Sequence, residues 1–442
     1  MRLPGLVVAL VLSLAGAAQA APVLMISIDG LRPADILDAQ ARGVRAPFLE
    51  ATAQHGLYAT GVRNALPTVT YPNHTTLVTG VWPAKHGIGS NVAFDPLRQG
   101  YEGWNWYAPD IRVQTLWDAV HARREITASL GWPVTVDNPS IDENLPEYWR
   151  ARTPEDAKLL HALSTPGLPE IAAAANFSLM DIVFTEPADD EAKARAVAAI
   201  YAAKRPYFFT LHLSSLDHIE HGYGPGSPEA RDALRRIDAA VATMVAAARK
   251  IEPDLVVMIV SDHGFAPVSR AINLDAAFVD AGLITLDDHQ HVKSWQAASW
   301  LSGGSAAVVL AHPEDQDLRA KVANLLRRLA AEPNSGIGRV LDKGQAAAMG
   351  GMGQADFFVD AKIGYEFGAK LTGPLVGDTS DRGTHGYFPD HPEMRASLFI
   401  DGVPAKGSLG EVDMRDIAPT AARILGVSLP GADGRSLLAA AP

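Results

Sequence analysis

The chain has 442 residues and no cysteine, its formal net charge is −12, and 48% of its residues are hydrophobic. This length allows a large core and more than one domain, and without disulfides the fold depends on that core and on any bound metal. The acidic balance and the lack of a dense Lys/Arg run argue against nucleic-acid binding by phosphate neutralisation. A small anionic substrate remains compatible, because bound metal can reverse the local field.

The N-terminus has the pattern of a secretory signal. Arg2 precedes an apolar run at residues 6–14, and Ala18-Gln19-Ala20 ends the segment. This order predicts cleavage before Ala21 and a periplasmic or secreted protein without a stable membrane anchor. The alternative is a membrane-spanning helix, but spanning takes about 20 apolar residues and this run is shorter.

Apolar runs typical of buried strands alternate with amphipathic, helix-like stretches along the chain. The predicted strands are residues 23–28, 126–130, 181–184, 207–213, 255–260, 306–310, 356–359 and 396–400. The predicted helices are residues 46–54, 113–122, 191–203, 229–250, 316–331 and 414–425. The alternation predicts an α/β fold, with a mostly parallel sheet covered by helices on both faces.

One long segment departs from this pattern. Residues 269–380 are less regular in polarity and contain several glycine pairs. We expect them to form an inserted cap or subdomain, while residues 21–268 and 381–442 form the main α/β domain.

Three aspartates follow predicted strands, at the sheet edge where open α/β sheets bind ligands. They are Asp29, Asp217 and Asp262. A single such aspartate usually caps a helix or holds a turn, but three at matching places favour a metal site. Asp217 and His221 are four residues apart and would share one helix face, and carboxylate with imidazole is a common zinc ligand set.

Two further histidines are candidate ligands. His263 follows Asp262, and since neighbouring strand residues point to opposite faces, both reach one ion only if the chain turns there. Gly264 favours such a turn. His385 lies between Gly383-Thr384 and Gly386, and taken alone it would be read as an ordinary loop histidine.

The candidate nucleophile is Thr70, in the segment 67–76. Pro72 suits the first turn of a helix, which would place Thr70 at the helix N-terminus among free backbone N–H groups. The alternative is that Thr70 is only an N-cap, and the local sequence does not separate the two roles.

Taken together, these motifs resemble those of the nucleotide pyrophosphatase/phosphodiesterase family of the alkaline phosphatase superfamily. The resemblance covers nearly all of the chain after residue 20. It depends on blocks that occur in the family's order: residues 28–30, 70–74, 86–88 with Asn91, 217–221, and 262–264 followed by 385–387.

The resemblance implies an alkaline phosphatase-like fold and two zinc ions. One ion would be held by Asp217, His221 and His385, and the other by Asp29, Asp262 and His263 with the Thr70 oxygen. Asn91 would bind a non-bridging phosphate oxygen, and Tyr71 would be the aromatic residue beside the nucleophile.

Three features depart from the family pattern. Tyr71 stands where phenylalanine is commoner, Glu220 stands where glycine is usual, and Ser214-Ser215-Leu216 replaces Glu-x-Pro before Asp217. These changes spare the implied ligands but bear on the substrate.

The implied activity is hydrolysis of phosphodiester or pyrophosphate bonds of small molecules, nucleotides first, through a phospho-threonine on Thr70. Asn91 is neutral, which favours a diester over a monoester that would call for an Arg or Lys clamp. The alternatives are a phosphate monoesterase, a phosphodiesterase acting on phospholipid head groups, and a non-enzymatic envelope protein that binds zinc for structure. Candidates for a wall opposite Tyr71 are Trp104, Trp106, Tyr107, Tyr148 and Trp149.

Overall fold

The computed structural model describes residues 20–100, 103–150 and 153–438. The predicted signal sequence at residues 1–20 therefore lies outside the described residues except for Ala20. Within these ranges, no helix combines the length and the apolar character needed to cross a membrane.

The strands, in chain order, are β1 (Val23–Ile28), β2 (Leu57–Tyr58), β3 (Gly61–Arg63), β4 (Thr127–Leu130), β5 (Glu143–Leu145), β6 (Phe208–Leu213), β7 (Val256–Val260), β8 (Ala266–Ile272), β9 (Ile284–Leu286), β10 (Val292–Trp295), β11 (Ala297–Ser302), β12 (Ser305–Leu310), β13 (Ile337–Asp342), β14 (Phe357–Ala361), β15 (Gly364–Phe367), β16 (Val376–Asp378), β17 (Gly383–Thr384), β18 (Leu398–Asp401), β19 (Gly407–Ser408) and β20 (Glu411–Asp413).

The α-helices are α1 (Pro33–Leu37), α2 (Ala39–Arg42), α3 (Pro47–His55), α4 (Thr70–Thr79), α5 (Pro83–His86), α6 (Leu116–His121), α7 (Ala157–Leu163), α8 (Leu168–Ala173), α9 (Pro187–Lys204), α10 (Ser215–Tyr223), α11 (Pro228–Ile251), α12 (Leu274–Asp280), α13 (Gln316–Ala331), α14 (Lys343–Ala347) and α15 (Ile417–Leu425).

The large sheet has the strand order β19–β2–β18–β7–β1–β6–β4–β5. β1 pairs in parallel with β6 and β7, and β4 pairs in parallel with β5 and β6. β18 runs antiparallel to both β7 and β2. The predicted mostly parallel α/β sheet is therefore confirmed, with β18 as an antiparallel strand inside it.

The apolar run in β1 follows from burial on both faces of the sheet. Leu24, Ile26 and Ile28 contact the core that also takes in side chains of α9 and α11. Val23 and Met25 face the other core, which includes side chains of α6 and α15. Because alternate strand residues point to opposite faces, a strand between two helical layers needs apolar residues throughout.

Between β7 and β18 the chain forms smaller sheets outside the large one. Their orders are β10–β9, β11–β12–β14–β13 and β15–β8–β16, with β17 also paired to β8. Side chains of β12, β14, α12 and α13 share a separate core. The inserted lobe at residues 269–380 and its boundaries stay a prediction. Strand β8 extends on both sides of residue 268, and it pairs with β17, which lies beyond residue 380.

The strand predicted at residues 181–184 is wrong. Residues Leu179–Ile182 form a 3₁₀ helix, begun by a capping box in which Ser178 and Asp181 satisfy each other's backbone N–H groups. The Ser-x-x-Asp spacing is a helix-start signal, and here it outweighs the apolar character of the residues that follow.

Candidate active site

The candidate ligands converge where the central strands end. Asp29 directly follows β1, and Asp262 and His263 follow the neighbouring β7. Asp217 and His221 lie on α10, the helix after β6, so strand pairing brings these three segments together. His385 directly follows β17, which pairs with β8.

One group of potential ligand atoms joins Asp29, Asp262 and His263, all within 4.8 Å of one another. His263 Nε2 lies 3.2 Å from Asp29 Oδ1 and 3.1 Å from Asp262 Oδ2. These three atoms are buried, and none has a hydrogen-bond partner among the described residues. Buried polar atoms are rarely left unpaired, so three that face one another fit a shared cation.

A second group joins Asp217, His263 and His385 within the same 4.8 Å limit. Asp217 Oδ1 lies 3.6 Å from His385 Nε2, and its Oδ2 lies 3.6 Å from His221 Nε2. His221 therefore contacts Asp217, but among the described residues it is not a member of either group of potential ligands. His263 belongs to both groups, so the two candidate centres adjoin.

Backbone carbonyls orient the three imidazoles. The Nδ1 atoms lie 3.1 Å from the Gly383 oxygen for His221, 3.0 Å from the Thr68 oxygen for His385, and 3.2 Å from the Gly264 oxygen for His263. When Nδ1–H donates to a carbonyl, the lone pair of Nε2 is free to bind a metal ion. This is the usual arrangement of metal-binding histidine.

Burial sets the protonation of the site. It raises the pKa of Asp29 and of Asp262 well above the ordinary carboxyl value. It lowers the pKa of His263 well below that of a free imidazole and the pKa of His385 to about 4. Neutral imidazoles beside carboxylates that lack a counter-charge form a donor set suited to a divalent cation such as zinc.

Thr70 is the first residue of α4, and the N-cap is Val69, whose side chain makes no cap hydrogen bond. The alternative that Thr70 only caps the helix is therefore wrong. Its hydroxyl makes no hydrogen bond within the described residues, and the residue lines a cavity together with Asp29 and Asp217. Thr70 thus lies beside the cavity at a helix N-terminus, where backbone N–H groups favour anions.

Asn91 contacts the start of the same helix. Its Oδ1 accepts a hydrogen bond from the Tyr71 backbone N–H at 2.8 Å, and Asn91 also lines the cavity. The acceptor must be the amide oxygen, since the backbone group donates. The NH₂ group of Asn91 makes no hydrogen bond within the described residues, whereas the Tyr71 N–H is already occupied.

The cavity beside Thr70 has a volume of about 580 Å³. Of the aromatic residues proposed for its wall, Trp104 and Trp149 line it, and Phe184 does so as well. Trp106 instead packs on Tyr148, with 4.4 Å between ring centroids. The remaining candidate, Tyr107, is exposed. Among the described lining residues there is no Arg or Lys.

With this geometry established, comparison with known proteins decides the family. The family model for type I phosphodiesterase / nucleotide pyrophosphatase matches residues 23–388. The chain belongs to this family. The resemblance found in the motifs is confirmed.

Two relatives illustrate the distance from known members. Ectonucleotide pyrophosphatase/phosphodiesterase family member 1 of Mus musculus is 26% identical over 259 residues, which are 56% of this chain and 24% of the relative. An uncharacterised pyrophosphatase/phosphodiesterase of Schizosaccharomyces pombe is 28% identical over 268 residues, 58% of this chain and 47% of the relative. The match spans less than half of either relative's length.

Solved structures show the shared fold. Human ectonucleotide pyrophosphatase/phosphodiesterase 5 has a TM-score of 0.64 at 19% identity, covering 93% of this chain and 97% of that chain. The murine protein, in an inactive threonine-to-alanine variant in complex with AMP, has a TM-score of 0.65 at 19% identity, covering 94% and 97%. The phosphodiesterase fold therefore extends over almost the whole chain.

The departures from the family motif have local explanations. Glu220, where glycine is usual, is buried and lies 3.4 Å from Arg32 in the turn after β1. The backbone N–H groups of Ser214 and Ser215 donate to the buried Asp190 of α9, at 3.2 and 3.0 Å. Asp190 thus holds the start of α10 by contacts from a different helix.

Several residues of the cavity wall were missed in the sequence, His212 and Glu147 among them. His212 is, with Thr210, one of two polar residues in the otherwise apolar strand β6, and Glu147 follows the short strand β5. His212 Nε2 lies 3.1 Å from Asp29 Oδ2, and its Nδ1 lies 3.1 Å from Glu147 Oε2. The available signal was a histidine in a mostly apolar, buried strand, since a buried polar side chain needs a hydrogen-bond partner.

Proposed function

We propose that this chain is a two-zinc phosphodiesterase that hydrolyses phosphodiester or pyrophosphate bonds, those of nucleotides in the first place. The main support is one observation. The unbonded hydroxyl of Thr70 lines a cavity with Asp29 and Asp217, members of two adjoining groups of buried carboxylates and imidazoles. Membership of the phosphodiesterase family supports the same reaction class.

The proposed ligands are those implied by the motifs. Asp29, Asp262, His263 and the Thr70 oxygen would hold one ion, and Asp217, His221 and His385 the other. Bound zinc would supply positive charge beside Thr70 and beside the leaving oxygen. The carboxylates of Asp29, Asp217 and Asp262 offset three of the four charges of two divalent ions, and the remaining positive charge suits a singly charged diester.

The proposed reaction has two displacements at phosphorus. Thr70 Oγ1 forms a bond to phosphorus while the bond to the leaving oxygen breaks, and the hydroxyl proton ends on that oxygen. Water then attacks phosphorus, the bond to Oγ1 breaks, and one proton of the water restores the threonine hydroxyl. The Asn91 amide would donate to a phosphate oxygen as charge develops there.

A diester is favoured over a monoester by the cavity lining. A monoester carries more negative charge and usually meets an Arg or Lys clamp, and none lines the described cavity. A purely structural zinc site is less suitable, because structural sites are closed, whereas an open cavity of about 580 Å³ lies beside Thr70. Residues 2–20 support export to the periplasm or medium as part of the same proposal.

The test compares bis(4-nitrophenyl) phosphate with 4-nitrophenyl phosphate in wild type and Thr70→Ala. We expect the diester to be preferred and the variant to lose more than about 10³-fold in turnover, with its zinc content by elemental analysis unchanged. Thr79→Ala is the matched control, since it removes a buried hydroxyl at the other end of α4. A preferred monoester would overturn the substrate class, and full turnover by Thr70→Ala would overturn the nucleophile.

A further inference from the structure

Glu147 is a buried carboxylate whose two oxygens contact polar groups of three side chains. Its Oε1 accepts from the Tyr71 phenol at 2.6 Å and from the Trp149 indole N–H at 2.6 Å. Its Oε2 lies 3.1 Å from His212 Nδ1. Only 2% of the residue is exposed. A carboxylate buried this deeply is tolerated when its acceptor positions are filled, so Glu147 holds these three side chains in fixed orientations.

Through His212 the contact reaches a proposed metal ligand. His212 Nε2 lies 3.1 Å from Asp29 Oδ2, while Asp29 Oδ1 faces His263 at 3.2 Å and has no hydrogen-bond partner among the described residues. The imidazole therefore lies against one carboxylate oxygen of Asp29. The other oxygen is left facing the candidate metal site.

Through Tyr71 the same carboxylate reaches the cavity wall. Tyr71 follows Thr70 in the chain, and its ring packs on Trp104 with 5.3 Å between centroids. Trp104 in turn packs on Trp149, with 6.1 Å between centroids. Glu147 thus ties the aromatic wall beside the nucleophile to the orientation of Asp29.

We propose that Glu147 is a positioning residue with two branches, one acting through His212 on the metal site and one acting through Tyr71 and Trp149 on the leaving-group wall. This inference depends on the proposed function, because it takes Asp29 as a metal ligand. It goes beyond the family motifs, none of which includes Glu147 or His212.

The first measurement is zinc affinity, by competition of the metal-free protein with a chromophoric chelator. Loss of a residue that hydrogen-bonds to a metal ligand typically lowers metal affinity by about 10–100-fold. We therefore expect Glu147→Ala and His212→Ala each to weaken zinc binding by about 10-fold or more. Tyr71→Phe removes only the phenol branch, so its zinc affinity should equal that of wild type, while its KM for bis(4-nitrophenyl) phosphate rises.

The double variant separates positioning from general destabilisation. If Glu147 acts on the metal through His212, Glu147→Ala/His212→Ala binds zinc no more weakly than His212→Ala alone. Glu147→Gln retains a polar group for each contact and should fall between wild type and Glu147→Ala. If Glu147→Ala does not fold, Glu147→Gln and His212→Ala carry the comparison, with thermal melting as the check on folding.

Two results overturn the positioning role. One is wild-type zinc affinity in folded Glu147→Ala and Glu147→Gln, and the other is a double variant weakened by the product of the two single effects. Wild-type protein that binds no zinc at all overturns the proposed function instead, so the two failures are distinguishable.

Discussion

At the scale of single residues, the side-chain amide of Asn91 has two different environments: its oxygen is bound by the protein, and among the described residues its NH₂ group is free beside the cavity. The oxygen is fixed by the Tyr71 backbone N–H, and the NH₂ group makes no hydrogen bond among the described residues. A donor held in place before the substrate arrives costs no reorganisation as charge develops.

The variant Asn91→Asp is the sharp test of this division. It keeps the acceptor for Tyr71 but puts a carboxylate oxygen where the donor was. We expect kcat/KM for the diester to fall by about 10²–10³-fold with little change in melting temperature, measured by steady-state kinetics and calorimetry. Asn105→Ala is the control, because this neighbouring amide donates to the Ser90 carbonyl instead and does not line the cavity. Undiminished turnover by Asn91→Asp would contradict the role.

The residues missed in the sequence belong to this scale too. Asp29, Asp217 and Asp262 were predictable because strand ends in a parallel sheet share one edge. His212 and Glu147 were not predictable, because their proposed role depends on a contact between β6 and the segment after β5. No local pattern encodes the distance between a histidine and a glutamate 65 residues apart in the chain.

At the scale of elements, Asp360 of β14 anchors the loop that follows His385. Its Oδ1 accepts from the Phe388 backbone N–H at 3.1 Å, and its Oδ2 lies 2.8 Å from His391 Nε2. Arg339 of β13 also contacts Oδ2, at 3.0 Å. Strands β13 and β14 thereby fix the backbone that leads away from a proposed metal ligand.

This anchor gives a pH dependence with a definite sign. The hydrogen bond to Asp360 raises the pKa of His391 above its ordinary value of 6.5. A raised native-state pKa adds stability that is fully present below the unfolded value and is lost as pH rises through the native one. The excess melting temperature of wild type over His391→Gln should therefore be largest near about pH 6 and shrink towards about pH 9.

The exposed His312, in the loop after β12, provides the control. The difference between wild type and His312→Gln should be small at every pH. A difference for His391→Gln that grows with pH would contradict the anchor.

The strands and helices also show which parts of the fold can be predicted from the local sequence. β1, β6 and β7 were predictable, because burial on both faces imposes continuous apolar runs. The antiparallel direction of β18 was not, since its apolar run resembles that of a parallel strand and its direction depends on the path of the chain between β7 and β18. The 3₁₀ helix at Leu179–Ile182 was misassigned because two capping side chains decide it.

At the scale of the whole molecule, the proposed ligands join segments from Asp29 to His385 in a chain without cysteine. Such a site is not preformed in the unfolded chain, so metal-binding free energy adds to folding free energy. For an ion at about 1,000 times its Kd the contribution is about 4 kcal/mol.

Removal of metal should therefore lower the melting temperature, and added zinc should restore it. Differential scanning calorimetry of wild type with and without a chelator, followed by elemental analysis, measures this. Thr70→Ala should show a similar shift, because it keeps the six carboxylate and imidazole ligands. An unchanged melting temperature in protein proven free of metal would contradict the metal's role in the fold.

The central place of β1 has a consequence for how the protein is made. The first strand to be synthesised is flanked by β6 and β7, so it waits for residue 260 before both neighbours exist. Contacts between such distant segments slow folding. A chain that ends between residues 264 and 384 would hold Asp29, Asp262 and His263 but lack the proposed ligand His385. Under the proposed mechanism, we therefore expect translation products that end before His385 to be inactive.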